Sequence, residues 1–386
     1  MIRSSLLLIY ILIIPFAGLT QVRCGADRSD FYYPHLRNKN IAVVANSAST
    51  AGSVNLVDAL LQRGLNIEKI FCPEHGFRSF SEAGLSIKNS VDSITGLPVI
   101  SLYGKKKKPD PADLKDVDIV VFDLQDVGVR CYTYLSTLSY MMEACSLANI
   151  PLMVLDRPNP NGFYIDGPVM DSAEFSFVGL HPVPLVYGMT IGEYARMINE
   201  EGWLKGRAIC DLQVIPLENY THQTMYSLPV NPSPNLPDMN AIYLYPSLCF
   251  FEGTFMSIGR GTAYPFEIYG YPALKDSVFA FTPEPGKGSS NPPCNEQLCH
   301  GTDLRGFYNT HPQLLGRINL SWLIQSYRAL GADPRFFNDF FDRIAGTPLL
   351  KKQIMEGMTE DEIRQSWQEG LDKFKEIRKK YLLYPE

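Results

Sequence analysis

The feature that most constrains the fold of this 386-residue chain is a series of short apolar segments that alternate with helical segments. Six apolar segments of strand length lie between residues 40 and 215, at 41–46, 67–72, 97–102, 117–124, 151–155 and 212–215. Apolar residues recur with helical spacing in three intervening segments, at 54–63, 135–147 and 190–201. Strands that are apolar throughout are buried on both faces, and helical connections make neighbouring strands parallel. The sequence therefore predicts a doubly wound α/β domain built on a parallel sheet.

The pattern changes after Pro216. The segments that follow are a Pro-, Asn- and Ser-rich stretch (229–237), a strand-like, aromatic-rich block (242–271), a long loop (283–303) and three helical patterns (321–330, 334–344 and 361–380). Strands followed by helices, without regular alternation, indicate an α+β arrangement. We therefore expect a smaller α+β domain at residues 216–386, after the α/β domain at residues 23–215.

The N-terminal segment has the pattern of a secretory signal. Arg3 precedes an apolar run at residues 6–16, and small residues follow that run. The run is too short for a membrane span, which needs about 20 apolar residues. We predict that residues 1–22 are a signal peptide, that the mature chain is exported to the periplasm of a bacterium, and that it meets the membrane only through this signal. A lipid anchor on Cys24 is the less favoured alternative, because Arg23 replaces the small residue that such a site needs.

Composition and charge exclude several classes of function. The chain holds 35 Lys and Arg against 41 Asp and Glu, a net charge of −6, so it lacks the basic excess that nucleic acid binding requires. Neither a G-x-G-x-x-G motif nor a Walker loop follows a predicted strand, so we expect no dinucleotide, no nucleoside triphosphate and no other cofactor. The run Lys105–Lys108 follows a predicted strand and is interpreted as a solvated loop.

The eight cysteines matter because an exported chain folds in an oxidising compartment. Cys294 and Cys299 lie in a Pro- and Asn-rich loop, where a local disulfide and two free thiols are the favoured alternatives. With His300 they resemble half of a zinc site, but the sequence holds no second pair at zinc-like spacing. We therefore predict no metal.

Candidate site residues are sought at the carboxyl ends of the strands, because open α/β sheets bind ligands there. Glu74, His75 and Arg78 follow the second predicted strand within five residues. The alternative is a helix N-terminus with a satisfied salt bridge. We favour a functional role, because adjacent acidic and basic groups at a sheet end are typical of sites that tune proton transfer.

Two further strand ends carry polar groups. The fourth predicted strand is followed by Asp126, Arg130 and Tyr132. For Asp126, a structural ion pair with Arg130 is as strongly favoured as a contact with a ligand. Arg157 and Asn159 follow the fifth strand, in a run whose Pro, Asn and Gly content is also typical of a tight turn. Acids, amides and arginines that converge without a phosphate loop suit a ligand with hydroxyl and carboxylate groups, such as a sugar acid.

The predicted second domain contributes Glu252, Arg260 and Thr262. Gly259 and Gly261 flank Arg260 and would let the backbone turn so that it aims the guanidinium, the alternative being a β-bulge with a surface arginine. Glycoside hydrolysis usually requires two carboxylates that face each other across a cleft. One protonates the leaving oxygen, and the other activates water or attacks carbon.

The candidate residues lie in motifs that resemble those of a known family. The motifs are Pro73-Glu-His-Gly-Phe-Arg78, Phe122-Asp-Leu-Gln-Asp-Val-Gly-Val-Arg-Cys-Tyr-Thr-Tyr134, Asp156-Arg-Pro-Asn-Pro-Asn-Gly162, and Phe251-Glu-Gly-Thr254 with Gly259-Arg-Gly-Thr262. In this order they resemble the family once called DUF1343, which includes exo-β-N-acetylmuramidases of the NamZ type, glycoside hydrolase family 171. The resemblance covers nearly the whole mature chain. It implies a Rossmann-like domain without a dinucleotide, a smaller C-terminal domain, and a site between the two.

The resemblance also implies an activity and a set of site residues. The activity is release of terminal β-1,4-linked N-acetylmuramic acid from the non-reducing end of peptidoglycan-derived disaccharides or muropeptides. Glu74 is the first candidate for the catalytic carboxylate, with Glu252 and His75 as further catalytic candidates. The residues expected to bind substrate are Arg78, Asp126, Arg130, Tyr132, Arg157, Asn159, Arg260 and Thr262. The chain departs from the family pattern at 79–85, where Ser-Phe-Ser-Glu-Ala-Gly-Leu replaces an acidic-rich segment, so no role is predicted for Glu82.

Two other classes of function stay in view. A non-catalytic protein that binds sugars or muropeptides in the same cleft is the main alternative. An esterase is less favoured, because the sequence has no G-x-S-x-G elbow. The sequence leaves open which carboxylate is the acid and whether hydrolysis retains or inverts the anomeric configuration.

Overall fold

The computed structural model describes residues 21–78, 81–82, 84–85, 87–274, 277–286 and 288–386. Residues 1–20, which hold nearly all of the predicted signal peptide, lie outside the described residues. Within the described ranges, no helix has both the length and the apolar character needed to cross a bilayer.

The first half of the chain forms a seven-stranded sheet. Its elements, in chain order, are α1 (Ser29–Leu36), β1 (Asn40–Ala45), β2 (Thr50–Ala51), β3 (Val54–Asn55), α2 (Leu56–Gln62), β4 (Asn66–Cys72), β5 (Ser90–Val91), β6 (Pro98–Ser101), β7 (Ile119–Asp123), α3 (Tyr134–Ala148), β8 (Leu152–Leu155), α4 (Ile191–Glu200) and β9 (Leu212–Ile215). The strand order is β5-β6-β4-β1-β7-β8-β9, and β5, at one edge, runs antiparallel to its neighbour while the other pairs of this sheet are parallel. Strands β2 and β3 form a separate antiparallel pair. This arrangement confirms the predicted α/β fold.

Burial on both faces explains why the apolar segments form strands. All five residues of β7 and the last five of β1 are buried. Side chains alternate between the two faces, so Val43 joins a core with α1 and α2, and Val44 joins a core with α3 and α4. Helix α4 begins at a capping box, in which the Thr190 hydroxyl accepts from the Glu193 N–H at 3.3 Å and the Glu193 carboxylate accepts from the Thr190 N–H at 2.9 Å.

The second half packs on the same core as Val44. Its elements are α5 (Met239–Leu248), β10 (Ile268–Tyr271), β11 (Phe279–Phe281), β12 (Cys299–Asp303), α6 (Phe307–Thr310), α7 (Ser321–Ala329), α8 (Phe341–Ala345), α9 (Leu349–Met355) and α10 (Glu360–Arg378). The three strands form an antiparallel sheet in the order β10-β12-β11. Leu248, Phe251 and Phe341 belong to the core that also covers the large sheet. One hydrophobic core thus contains residues from both sides of the predicted domain boundary between residues 215 and 216. The boundary itself stays a prediction.

Helix α5 lies where the sequence predicted a strand-like block, so that prediction is wrong for residues 242–248. Seven of its ten residues are buried, and a helix buried on most sides lacks the one-sided apolar periodicity that marks a surface helix. Asp238 caps the helix by accepting a hydrogen bond from the Ala241 N–H at 2.9 Å. Pro246 cannot donate to the Ile242 carbonyl, which accepts instead from the side chain of Asn161 at 3.2 Å.

Two further segments of the second half differ from their predicted extent. The predicted loop at 283–303 ends in the strand β12. The predicted helix at 334–344 is a 3-10 turn followed by the short helix α8, because the extended residue Phe337 interrupts a continuous helix.

The cysteines are free thiols in this structure. Cys294 and Cys299 are neighbours, and a hydrogen bond between their thiols lowers the pKa of Cys294. Across the described ranges, no group of three or more His, Cys, Asp or Glu side chains is placed to hold a metal ion.

Candidate active site

A cavity of 380 Å³ lies between the two halves of the molecule. One wall comes from the loops that follow β4, β6 and β7, so the cavity opens beyond the carboxyl ends of parallel strands. The other wall comes from the turn after α5, the segment before β10 and the start of α8. Of the predicted site residues, those that line the cavity are Glu74, His75, Tyr132, Glu252 and Arg260.

Glu74 lies directly after β4, and its half-buried carboxylate accepts two hydrogen bonds. Oε1 accepts from the backbone N–H of Gly84 at 2.9 Å, and Oε2 accepts from the hydroxyl of Thr133 at 2.8 Å. The turn is completed by His75 (φ 76°) and Gly76 (φ 85°), two consecutive residues in left-handed conformations. A left-handed residue other than glycine is strained, and such strain is common where a site fixes a side chain. The loop therefore holds Glu74 in one orientation towards the cavity.

His75 is a neutral imidazole. Its Nδ1 lies 2.8 Å from the carbonyl oxygen of Ser81. Because a carbonyl only accepts, Nδ1 carries the proton and Nε2 keeps its lone pair. Burial lowers the pKa of His75, and the charge of Glu74 opposes this only in part. His75 is therefore suited to accept a hydrogen bond from a ligand hydroxyl.

Glu252 and Arg260 form an ion pair on the wall contributed by the second half. Nη2 of Arg260 donates to Oε2 of Glu252 at 2.7 Å. Burial raises the pKa of Glu252; Arg260 opposes this shift, and the charge of Glu74 adds to it. A carboxyl group whose pKa is raised can hold a proton for transfer to a leaving group.

The backbone around Arg260 requires the glycines that flank it. Gly259 and Gly261 adopt φ values of 76° and 79°. A Cβ atom on Gly259 would lie 2.5 Å from the carbonyl oxygen of Tyr264, and one on Gly261 would lie 2.5 Å from that of Glu284. Two tight turns thus present the guanidinium to the cavity.

Sequence reasoning did not select most of the other residues that line the cavity, among them Tyr103, Thr133 and Glu82. Tyr103 follows β6, and burial together with the Glu74 carboxylate raises the pKa of its phenol, which keeps it a proton donor. Thr133 stands inside a motif already singled out, beside Tyr132, and binds Glu74. Glu82 also lines the cavity, although it lies in the segment that departs from the family pattern. For Tyr103, the rule that selected Glu74 at a strand end would have sufficed.

Arg130 has a structural role that differs from the predicted substrate contact. Its guanidinium is buried and donates to four backbone carbonyls, at 2.8–3.0 Å. Two of these carbonyls, on Pro168 and Val183, belong to the first half, and two, on Ile344 and Ala345, belong to the second. Burial lowers the pKa of Arg130 to about 10, so the group stays charged at neutral pH. Arg130 ties the two halves together instead of facing the cavity.

The motif after β8 is also engaged within the protein. Arg157 donates to the two carboxylate oxygens of Asp123 at 2.5 and 2.8 Å, and both side chains are buried. Burial lowers the pKa of Arg157, but the charge and hydrogen bonds of the Asp123 carboxylate raise it by more, so the net shift is upward. Asn159 donates to the Met189 carbonyl at 2.8 Å and accepts from the Asn161 N–H at 2.8 Å. The predicted ligand contacts of Arg157 and Asn159 do not fit this placement, which indicates that both stabilise the sheet end.

Asp126 is buried and does not line the cavity. One of its carboxylate oxygens accepts from the Gly128 N–H at 2.6 Å and from the Tyr187 hydroxyl. Burial raises its pKa to about 6. Neither a substrate contact nor the alternative pairing with Arg130 fits this placement, since the guanidinium of Arg130 is bonded to carbonyls.

Arg78 and Thr262 likewise bind protein groups. Arg78 makes paired hydrogen bonds to two carboxylates, on Asp58 of α2 and on Asp92, at 2.6–3.0 Å. This is the satisfied salt bridge that the sequence left as the alternative. The Thr262 hydroxyl donates to the Gly259 carbonyl at 2.7 Å and so closes the turn that presents Arg260.

Two family models match the chain. Residues 41–240 match the N-terminal model of exo-β-N-acetylmuramidase NamZ, and residues 243–384 match the C-terminal model. The peptidoglycan β-N-acetylmuramidase NamZ of Bacillus subtilis strain 168 is 38% identical over 380 residues, which cover 92% of this chain and 89% of that protein.

Solved structures show the same fold. A DUF1343 family protein from Bacteroides fragilis NCTC 9343 is 46% identical and superposes with a TM-score of 0.88, over 95% of this chain and 100% of that one. A second DUF1343 family protein from the same strain is 27% identical and superposes with a TM-score of 0.79, over 94% of this chain and 99% of that one.

Proposed function

The chain belongs to the NamZ family of exo-β-N-acetylmuramidases, and on that premise we propose that it releases terminal β-1,4-linked N-acetylmuramic acid from the non-reducing end of peptidoglycan fragments. The observation that carries the proposal is the placement of Glu74 and Glu252, from different halves, in one cavity. A pair of carboxylates around one bound sugar is the usual machinery of glycoside hydrolysis. The identity with a peptidoglycan β-N-acetylmuramidase over most of the chain supports peptidoglycan as the substrate class.

The two carboxylates have environments suited to different roles. Burial raises the pKa of Glu252, so this group is the better proton donor to the leaving oxygen. Glu74 accepts hydrogen bonds at both oxygens, and these two donors hold its carboxylate in place at the cavity. We therefore assign Glu252 as the general acid and Glu74 as the carboxylate that attacks the anomeric carbon or activates water.

Arg260 is the arginine that we assign to recognition of the lactyl carboxylate of muramic acid. Of the four arginines predicted to contact substrate, Arg78, Arg130 and Arg157 are occupied by protein groups, as described above. Arg260 donates one N–H to Glu252 and keeps further donors for a ligand.

Arg260→Met should weaken binding of free N-acetylmuramic acid by about 10- to 150-fold, the loss of about 1.5–3 kcal/mol for hydrogen bonds to a charged group. Calorimetry with N-acetylglucosamine, which lacks the lactyl group, is the control and should show no change.

The decisive test uses the disaccharide in which N-acetylmuramic acid is β-1,4-linked to N-acetylglucosamine. Wild-type protein should release the free muramic acid, and Glu74→Gln should bind the disaccharide but not release it. Full release by Glu74→Gln would overturn the assignment. Binding without turnover by the wild type would instead select a non-catalytic sugar-binding protein.

We further propose that residues 1–22 direct export to the periplasm and are then removed. The support is the charged, apolar and small-residue order of the sequence. Mass spectrometry of the protein isolated from its own cells should find a new N-terminus near residue 23, in the periplasmic fraction. A full-length chain in the cytoplasmic fraction would contradict the proposal.

A further inference from the structure

A second cavity of 810 Å³ has a strongly basic wall. Its lining includes the four consecutive lysines at 105–108 and Lys205, against the two carboxylates of Asp110 and Glu143. The run that the sequence indicated as a solvated loop therefore lines a concave surface. Aromatic side chains complete the lining, among them Tyr140 and Trp203.

Only some of these lysines are neutralised by the protein. Lys106 pairs with Asp110 at 2.7 Å, and Lys108 pairs with Glu143 at 2.6 Å. Lys105, Lys107 and Lys205 are exposed, and within the described part of the chain none of the three forms an ion pair. Their ammonium groups give the cavity an excess of positive charge that a ligand can use.

Two chain segments connect this cavity to the active-site cavity. Tyr103 lines the active-site cavity and Lys105 lines the basic one, and two residues of chain span at most about 7 Å. In the same way Val178 lines the first cavity and Leu180 lines the second. The two cavities are therefore direct neighbours along both segments.

An aromatic side chain lies on this connection. The ring of Phe177 is 6.0 Å from that of Tyr103 and 6.0 Å from that of Tyr140, on which it stacks. Nζ of Lys107 lies 4.6 Å from the centre of the Phe177 ring. Tyr140 and Lys107 both lie against this ring, so the ring holds the Lys107 ammonium near the junction of the two cavities, where it can bind an anion.

We infer that the basic cavity is a subsite for a carboxylate on the leaving part of a longer peptidoglycan fragment. The inference rests on the proposed function, in which the terminal muramic acid occupies the active-site cavity and the rest of the glycan extends from it. In peptidoglycan the two sugars alternate, so the next muramic acid follows one N-acetylglucosamine and brings a second carboxylate. That carboxylate is either the free lactyl group or belongs to a peptide stem attached there. Lysine suits both, because an ammonium group on a flexible stem binds a carboxylate without a fixed geometry.

The test compares rates on three tetrasaccharides of alternating muramic acid and glucosamine that differ at the internal muramic acid. One has a free lactyl carboxylate, one has that carboxylate converted to a neutral methylamide, and one bears a peptide stem. We expect kcat/KM for a substrate with the matching carboxylate to exceed that for the methylamide about tenfold at low salt, a difference that three weak ion pairs can supply. The preference should decrease as salt is added. The tetrasaccharide that is preferred identifies the lactyl group or the peptide as the source.

Two variants that each remove two positive charges distinguish binding in the basic cavity from a general effect of the net charge of the protein. Lys105→Gln/Lys107→Gln leaves one of the three free ammonium groups, so it should lower the preference from about tenfold to about twofold and leave kcat/KM for the disaccharide unchanged. The control Lys39→Gln/Lys373→Gln removes two exposed lysines elsewhere and should keep the preference. Equal rates on all tetrasaccharides, or a preference that stays near tenfold in the first variant, would overturn the subsite while disaccharide release continues. Loss of disaccharide release by wild-type protein would instead overturn the proposed function.

Discussion

Two acid–arginine pairs of this molecule differ in their surroundings, and only one of them faces the cavity. Arg157 and Asp123 are 2.5 Å apart with side chains that are 3% and 0% exposed, and a further N–H of Arg157 donates to the Thr50 carbonyl at 2.7 Å. Arg260 and Glu252 are 2.7 Å apart, with 17% and 22% of their side chains exposed. The first pair has its charged atoms bound by protein, whereas the second keeps free hydrogen-bonding capacity towards the cavity.

The difference shows what separates a structural pair from a reactive one. Both pairs join an arginine to a carboxylate, and ion pairs of either kind perturb pKa values. What differs is the number of donors and acceptors left for a ligand. Four predictions test this distinction, beginning with the change that should have the largest effect.

Replacing the acid of the pair that faces the cavity should abolish most of the activity and leave the fold intact. Glu252→Gln keeps the shape of the side chain but removes the proton donor, so kcat should fall by about 10²- to 10⁴-fold. The midpoint of thermal unfolding should stay near that of the wild type. Glu267→Gln, which alters a buried carboxylate outside the cavity, is the matched control and should keep wild-type kcat. Wild-type kcat in Glu252→Gln would contradict the assigned role.

Removing the arginine of each pair should affect stability very differently. Arg157→Met leaves the Asp123 carboxylate buried without its partner and should lower the free energy of unfolding by about 3–5 kcal/mol. Arg260→Met leaves Glu252 in contact with the cavity and should lower it by about 1 kcal/mol or less. Urea denaturation at pH 7 measures both values. Equal losses would show that the two pairs are not distinguished by burial.

The free energy of unfolding should depend on pH in a way that reports the raised pKa of Asp126. Burial raises the pKa of Asp126 to about 6, so the folded protein binds a proton that the unfolded chain, with an ordinary pKa near 3.9, releases. Between pH 7 and pH 5 this group should therefore add about 1 kcal/mol to the free energy of unfolding, and that contribution is lost as pH rises through 6. The difference between the wild type and Asp126→Asn, measured by denaturation at both pH values, isolates the effect. A difference that stays constant, or that moves in the other direction, would contradict the raised pKa.

The smallest effect should come from the hydroxyl that orients Glu74. Thr133→Val removes one hydrogen bond of 2.8 Å, worth about 1 kcal/mol, so kcat should fall roughly fivefold with little change in KM. Thr133→Ser restores the hydroxyl and should recover the wild-type rate. A loss of activity in both variants would assign the effect to packing instead of to the hydrogen bond.

Much of the fold could be predicted because strand burial leaves a direct trace in the sequence. The segment at 41–46 predicted β1, and the segment at 117–124 predicted β7, each to within a few residues. Helix α5 could not be predicted in this way, because its burial on most sides removes periodicity and its Pro246 depends on a distant donor. Local pattern therefore specified the sheet better than it specified the half that packs on it.

The candidate site was predictable only in part, for a related reason. Residue type and position at a strand end brought Glu74 and His75 to the cavity, and a motif brought Glu252 there. The same criteria selected Arg130 and Arg157, whose partners are far away in sequence, up to 215 residues for the Ala345 carbonyl. A sequence gives no indication that such partners have consumed the hydrogen-bonding capacity of an arginine.

The four carbonyls gathered by Arg130 have a consequence for how a saccharide enters. Ile344, whose carbonyl is one of them, also lines the active-site cavity, so that wall is set before a ligand arrives. We therefore expect a preformed binding site, in which no part of the binding free energy is needed to bring the two halves together. Association should then proceed at a rate set by diffusion through the mouth and by steering charges, not by a slow conformational step.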